Sequence, residues 1–79
     1  MEGTDVKMVK EMSSLYEVDL SGLDLRGLDL YGSTCEGANF NGADLRGASF
    51  EGADVYTASF EGAQLEGADF TGVFEPPTK

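Results

Sequence analysis

Residues 37–54 read GANFNGADLRGASFEGAD, and glycine recurs in this stretch at every fifth position. An alanine follows each of these glycines, and a Phe or Leu comes two residues after most of the alanines. An α-helix repeats its buried face every 3.6 residues and a β-strand every 2, so a period of five fits neither. The stretch therefore predicts a different repeating backbone.

The five-residue repeat runs from Val18 to Gly72 as eleven consecutive units without an insertion. The third position is always apolar, and two inward-pointing residues separated by a polar one indicate a short strand. Glycine at the fifth position fits the third residue of a type II turn, which needs a positive φ. Only Thr57 breaks this rule, so its corner either adopts another turn type or holds a strained β-branched residue.

Four such units with right-angled corners close one coil of 20 residues, so that residue n stacks on residue n+20. Alanine at most first positions leaves room for larger side chains in a narrow interior. The third-position columns predicted by this register are Leu20, Phe40 and Phe60; Leu25, Leu45 and Leu65; Leu30, Phe50 and Phe70; and Cys35 and Val55.

The units ANFNG, ADLRG and ASFEG at residues 38–52 resemble the A(D/N)LXX motif of the pentapeptide-repeat family. The resemblance covers 55 of the 79 residues in a single phase. It implies an all-β solenoid, namely a right-handed quadrilateral β-helix of just under three coils. The family motif is structural, so the resemblance transfers no catalytic residue.

The residues outside the repeat predict how the solenoid is finished. Residues 5–16, DVKMVKEMSSLY, have the pattern of an amphipathic helix, so residues 1–17 are expected to form an N-terminal α-helical cap. The alternative is a helix that docks on a membrane or a partner, although a membrane-surface helix would be richer in Lys and Arg. Residues 73–79 form a C-terminal tail whose prolines end strand pairing.

The last coil is expected to leave an open apolar β-edge, and such edges associate. Related pentapeptide-repeat proteins often dimerise through their C-terminal ends, so the resemblance implies a homodimer with a two-fold contact. Alternatively, Phe74 folds under the last coil as a lid. The candidate self-association or partner interface consists of Phe60, Leu65, Phe70, Val73 and Phe74.

Composition limits the remaining functions. The formal net charge is −10, there is no histidine, and Cys35 is the only cysteine, so neither a disulfide within the chain nor a usual zinc site is expected. No apolar run approaches the ~18–20 residues that span a bilayer. We expect one domain, no cofactor or metal, no membrane contact and no direct nucleic-acid binding, which needs clustered Lys and Arg. A cytoplasmic protein is expected, or a virion-associated one if it derives from a phage.

The sequence predicts a non-enzymatic protein with no catalytic residue. Stacking brings Asp24 and Asp44 about one strand spacing apart, ~4.8 Å, but beside Arg26 and Arg46 on a convex face they form a solvated ladder. A catalytic carboxylate pair needs desolvation to separate its pKa values. Cys35 points inward, and the chain has no histidine to activate it.

Two binding functions remain. The first is a rigid protein-binding module, an adaptor or a structural subunit of a larger assembly such as a phage particle, with Tyr31 and Tyr56 as exposed contacts. The alternative, implied by the resemblance, is a DNA mimic that binds a type II topoisomerase such as DNA gyrase, or another DNA-binding protein. Residues 18–72 carry a net charge of −8 over about 13 Å, close to the charge density of B-DNA. The candidate acidic partner surface consists of Asp24, Asp44, Glu51, Asp54, Glu61, Glu66 and Asp69.

Overall fold

The computed structural model describes Val9 and residues 14–73 of the chain. Between residues 14 and 73 the backbone forms no α-helix and no continuous strand. It forms seven isolated parallel β-bridges, each joining a residue to the residue 20 positions later. The 20-residue register predicted from the sequence is therefore confirmed.

The bridges fall into four columns, and each column forms one face of the coil. At each bridge, backbone N–H groups of neighbouring coils donate to each other's carbonyls, as in Leu20 N to Asn39 O at 2.7 Å and Asn39 N to Val18 O at 2.9 Å. In chain order, the bridging residues are Asp19, Asn39 and Ser59 on the first face; Asp24, Asp44 and Gln64 on the second; Asp29, Ser49 and Asp69 on the third; and Thr34 and Asp54 on the fourth.

Each face ends in a corner of type II geometry. The ten fifth-position glycines have φ between 66° and 76°. The N–H after each corner donates back to the third-position carbonyl before it, as in Ala48 N to Leu45 O at 3.0 Å. A Cβ at Gly47 would meet no atom within 4 Å, so glycine is favoured there by the positive φ and not by lack of space.

The fourth-position residues lie at the corners and form four vertical rows. Backbone bonds hold these rows in register, as in Gly27 N to Arg46 O at 3.0 Å. We name the rows the asparagine corner, the arginine corner, the Tyr31 corner and the Tyr16 corner. They consist respectively of Ser21, Asn41 and Glu61; Arg26, Arg46 and Glu66; Tyr31, Glu51 and Thr71; and Tyr16, Glu36 and Tyr56.

Stacked aromatic rings fill the interior. The ring centroids of Phe40 and Phe60 are 4.9 Å apart at an interplanar angle of 12°, and those of Phe50 and Phe70 are 4.8 Å apart at 14°. The two stacks meet edge to face, with 5.5 Å between the centroids of Phe40 and Phe50. Such pairs contribute about 0.5–1.5 kcal/mol each beyond their burial. Alanines at the first positions complete the core, among them Ala38, Ala43, Ala48, Ala53 and Ala63.

The solenoid begins before Val18, the boundary predicted from the sequence. Leu15 N donates to Thr34 O at 2.8 Å, and Val18 N donates to Leu15 O at 3.1 Å, which are the bonds of a further unit. Leu15 is 2% exposed and lies in the column of Cys35.

The predicted helix over residues 5–16 is therefore wrong at its C-terminal end, because residues 14–16 are not helical. In the coil, Leu15 is buried and its N–H is bonded to the next coil, which a terminal helical turn would not provide. The unit escaped the repeat pattern because Glu17 occupies the glycine position, where it has φ of 57°.

The rest of the predicted N-terminal cap and of the C-terminal tail stays a prediction. Val9 is 2% exposed and belongs to the same apolar cluster as the coils. Residues 1–8 and 10–13, which carry most of the predicted cap, and residues 74–79 of the tail lie outside the described residues. Within the part of the chain that is described, no helix has the length and apolar character needed to cross a membrane.

Thr57 forms the same turn as the glycine corners. Its φ is 60°, and Ala58 N donates to Val55 O at 2.9 Å across the turn. Of the two alternatives left open by the sequence, the strained β-branched residue is therefore the correct one. A left-handed conformation costs about 1–2 kcal/mol for a residue with a Cβ.

We expect Thr57→Gly to stabilise the fold by about 0.5–1 kcal/mol, because relief of the backbone strain exceeds the added entropy of the unfolded chain. The matched variant Gly47→Ala introduces the same strain at an open corner and should destabilise the fold by about 1 kcal/mol. Urea unfolding followed by circular dichroism measures both changes. A destabilising Thr57→Gly substitution would show that the threonine side chain is needed at this corner.

Candidate interaction surfaces

The second-position side chains help to build the turns. Asp19 Oδ1 accepts the backbone N–H of Ser21 at 3.0 Å, which closes an Asx-turn against the corner. This bond holds the fourth-position N–H in place and explains the preference for Asp and Asn at second positions. The other second-position residues whose carboxylate or amide oxygen makes the same bond are Asp24, Asp29, Asn39, Asp44, Asp54 and Asp69.

The arginine corner neutralises two of the predicted surface acids. Arg26 binds Asp24 with two nitrogens at 2.8 Å each, and Arg46 binds Asp44 at 2.8 and 2.6 Å. Arg26 Nε also lies 3.8 Å from Asp44 Oδ2, which links the two coils. Hydrogen bonds from Arg26 lower the pKa of Asp24 to about 2, and hydrogen bonding from Arg46 lowers that of Asp44. These carboxylates are therefore paired anions at neutral pH.

The other five members of the predicted acidic surface do not lie on one side. Glu51, Glu61 and Glu66 occupy three different corners, while Asp54 and Asp69 lie on the fourth and third faces. Glu66 also follows the two arginines on the arginine corner. The charge of this set is thus spread around the coil.

The candidate C-terminal interface is only partly exposed. Phe60 and Val73 are 8% and 9% exposed, whereas Leu65 and Phe70 are half-buried. Among residues 14–73, no acceptor is found for the backbone N–H groups of Leu65 and Phe70. Phe74 lies outside the described residues. In the described part of this edge, the available groups include the Leu65 and Phe70 side chains and these N–H groups.

Three exposed tyrosines surround the fourth face. Tyr31 is 69% exposed and Tyr56 58%, and the structure adds Tyr16 at 54%. Tyr16 was not predicted as an exposed contact, because it lies in the segment predicted to form the amphipathic helix. Reading the repeat one unit further back, as SSLYE at residues 13–17, would have placed Tyr16 in the fourth position shared by Tyr31 and Tyr56.

Cys35 is part of the core. It is fully buried, and this burial, together with the charge of Asp54, raises the pKa of its thiol to about 12. The side chain therefore stays a neutral thiol at physiological pH. Within the described residues, no group of His, Cys, Asp or Glu has the arrangement to hold a metal ion.

The model of the pentapeptide-repeat family matches the sequence in three overlapping stretches, residues 13–49, 24–62 and 35–72. The chain belongs to the pentapeptide-repeat family. The matches begin at residue 13 and so include the additional unit that contains Leu15 and Tyr16. The four-faced coil is accordingly the right-handed quadrilateral β-helix of pentapeptide-repeat proteins, as the resemblance implied.

Two solved pentapeptide-repeat proteins resemble the chain. The crystal structure of Rfr23 from the cyanobacterium Cyanothece 51142 is 28% identical with a TM-score of 0.70, over 72% of this chain and 40% of that one. A protein of the Arabidopsis thaliana thylakoid lumen is 41% identical with a TM-score of 0.46, over 68% of this chain and 44% of that one. This chain thus matches less than half the length of either structure. No curated protein matches its sequence significantly.

Because the pKa of Asp24 is lowered, we expect the stability of this pentapeptide-repeat coil to fall in acid. Its folded pKa of about 2 lies below the ordinary 3.8, so its contribution is present above about pH 4 and is lost as the pH falls toward 2. Asp24→Asn keeps an acceptor for the turn and removes the titration. We expect this variant to lose less stability between about pH 4 and 2 than the wild type does.

Thermal unfolding at a series of pH values measures this difference, and an NMR titration of the Asp24 carboxyl carbon gives the pKa directly. A midpoint at or above 3.8 would contradict the bidentate pairing with Arg26.

Proposed function

We propose that this pentapeptide-repeat chain is a non-enzymatic protein-binding module that serves as an adaptor or as a structural subunit of a larger assembly. The observation that carries the proposal is the division of its polar side chains. Seven second-position Asp and Asn residues are hydrogen-bonded within the turns, whereas fourth-position residues lie in rows at the corners, spaced by about one coil, ~4.8 Å. Side chains held on a rigid backbone lose little freedom when they bind.

The proposal includes a protein partner and needs no cofactor, metal, membrane or nucleic acid. A cytoplasmic location, or a virion-associated one, is proposed because a single cysteine cannot form a disulfide within the chain. A phage particle is one assembly in which such a subunit would serve.

We propose in addition that the protein forms a homodimer through the edge of its last coil. The half-buried side chains of Leu65 and Phe70 and the N–H groups of the same residues support this contact. A two-fold arrangement would bury the same surface on both protomers.

Light scattering over a range of concentrations tests the dimer. We expect the solution mass of the wild type to rise from that of one chain to that of two as the concentration increases. Phe74 lies next to this edge in the sequence, and we expect Phe74→Asp to remain a monomer. Tyr31→Asp adds the same charge at an exposed corner and should still dimerise. A wild type that stays monomeric at every concentration would contradict the homodimer.

The second candidate is a DNA mimic that binds a type II topoisomerase such as DNA gyrase. It is favoured by the four glutamates at fourth positions, which no turn uses and which lie at regular heights along the corners. Against it, Arg26 and Arg46 neutralise two acids on one side of the coil. The chain is also short compared with the DNA that a topoisomerase binds.

A supercoiling assay separates the two functions. A DNA mimic would inhibit supercoiling, added salt would relieve the inhibition, and combined Glu51→Lys, Glu61→Lys and Glu66→Lys substitutions would abolish it. These positions are suitable because they make no turn bond through their side chains, unlike Asp44 or Asp54. For a protein-binding module that does not act on topoisomerases, we expect no inhibition by the wild type at any salt concentration. Salt-sensitive inhibition would overturn this preference.

A further inference from the structure

The fourth face differs from the other three in its aromatic borders. The Tyr31 corner lies on one side of it and the Tyr16 corner on the other, so all three tyrosines of the chain border this one face. Thr34 and Asp54 lie between the two corners. We call this surface the tyrosine face. It spans three extended residues between its corners, roughly 10 Å.

Each corner of the tyrosine face places a tyrosine and a glutamate in adjacent coils of one row. On the Tyr16 corner, Glu17 N donates to Glu36 O and Gly37 N donates to Tyr56 O, both at 2.9 Å, so Glu36 lies between two tyrosines. On the other corner, Gly32 N donates to Glu51 O at 2.9 Å, so Glu51 lies one coil below Tyr31. Successive members of a row are about 4.8 Å apart along the solenoid axis.

The charge of the tyrosine face is uniformly negative among the described residues. Asp54, Glu36 and Glu51 lie on it, and Glu17 extends over the Tyr16 corner, where its Cγ would be 2.9 Å from a Cβ at Gly37. The two arginines between residues 14 and 73 lie on the arginine corner, diagonally opposite the Tyr16 corner. The negative charges of Glu17 and Glu36 raise the pKa of Tyr16.

A ring beside a carboxylate is the chemistry that recognises a guanidinium group. The planar cation stacks on the face of the phenol, and its N–H groups donate to the carboxylate as a fork. Lysine matches this pairing less well, because its ammonium group is compact and strongly hydrated. Two such pairs border the face, so the complementary ligand carries two guanidinium groups.

We propose that the tyrosine face binds an extended segment of a partner protein in which two arginines flank one intervening residue. Alternate residues of an extended chain point to the same side about 7 Å apart, and long side chains let the two guanidinium groups reach both corners. One arginine binds at Glu36 between Tyr16 and Tyr56, and the other binds at Glu51 below Tyr31. This proposal rests on the protein-binding function and names the chemical class of its partner.

A short end-capped peptide with an Arg-Ser-Arg core tests the proposal. The protein contains no tryptophan, so its tyrosine fluorescence reports this face alone. We expect saturable binding with a dissociation constant on the order of 1 mM at low salt. NMR shifts should be confined to the two corners that border the face. Weaker binding is expected for a Lys-Ser-Lys peptide and none for a Gln-Ser-Gln peptide.

Matched variants separate this site from general attraction by net charge. Glu36→Gln and Glu51→Gln should each weaken binding about two- to fivefold. Glu61→Gln and Glu66→Gln remove the same charge from the same unit position on the other two corners and should leave binding unchanged. Tyr56→Ser should weaken binding and Tyr56→Phe should retain it, because stacking needs the ring and not the hydroxyl. Ser21 shows that a serine is accommodated at the fourth position of a unit, so Tyr56→Ser is compatible with the fold.

Equal weakening by Glu36→Gln and Glu61→Gln, or equal binding of the Arg and Gln peptides, would overturn the proposal. Its failure is distinguishable from failure of the protein-binding function. If a protein partner that co-purifies with the wild type is retained by Glu36→Gln with Glu51→Gln, the function stands and the tyrosine face is not its site. Salt-sensitive inhibition of supercoiling would count against the protein-binding module whatever the peptide does.

Discussion

The structure depends on a corner that recurs every five residues. A type II turn needs one residue with positive φ, and glycine meets this need at ten corners of the described coils. Because each corner turns the chain and each coil contains four of them, residue n meets residue n+20 across a parallel bridge. The bridges, the phenylalanine stacks and the corner rows all follow from this spacing. A corner of different length would shift every later side chain out of its column.

The same corner explains much of the acidity of the chain. An Asx-turn needs an oxygen acceptor two residues before the fourth-position N–H, and an aspartate or asparagine supplies it. Aspartates at second positions thus serve as hydrogen-bond acceptors for the backbone. On one side of the coil, Arg26 and Arg46 also form ion pairs with two of them, Asp24 and Asp44. Much of the negative charge of the chain, whose net value is −10, therefore belongs to residues that the turns require. The glutamates at fourth positions, which the turns do not use, are the informative ones.

The period and the core could be read from the sequence because both rest on regular spacing. Phe40 stacks on Phe60 because a single phase extends through the intervening units. The unit at Leu15 could not be recognised in the same way, since Glu17 takes the positive φ without being glycine and the preceding residues also fit a helix. The arginine ladder was visible as neighbouring residues, but its bidentate geometry depends on side-chain rotamers that spacing does not determine. The three tyrosines that border the fourth face were not recognised as a group, because Tyr16 belongs to the same unit as Leu15, which was predicted to be helical.

Function in such a coil is confined to positions that the fold leaves free. First and third positions are buried or half-buried, most second positions are hydrogen-bonded, and fifth positions need a positive φ. The fourth position has the fewest such requirements, although Asn41 Oδ1 accepts the backbone N–H of Glu61 at 2.8 Å, and it is here that Arg, Glu, Tyr, Thr, Ser and Asn alternate. Because all three tyrosines gather at two adjoining corners while both described arginines occupy a third, the free positions are unevenly divided around the axis. Such an uneven division is consistent with the proposed recognition of a partner from one side, which would be the tyrosine face.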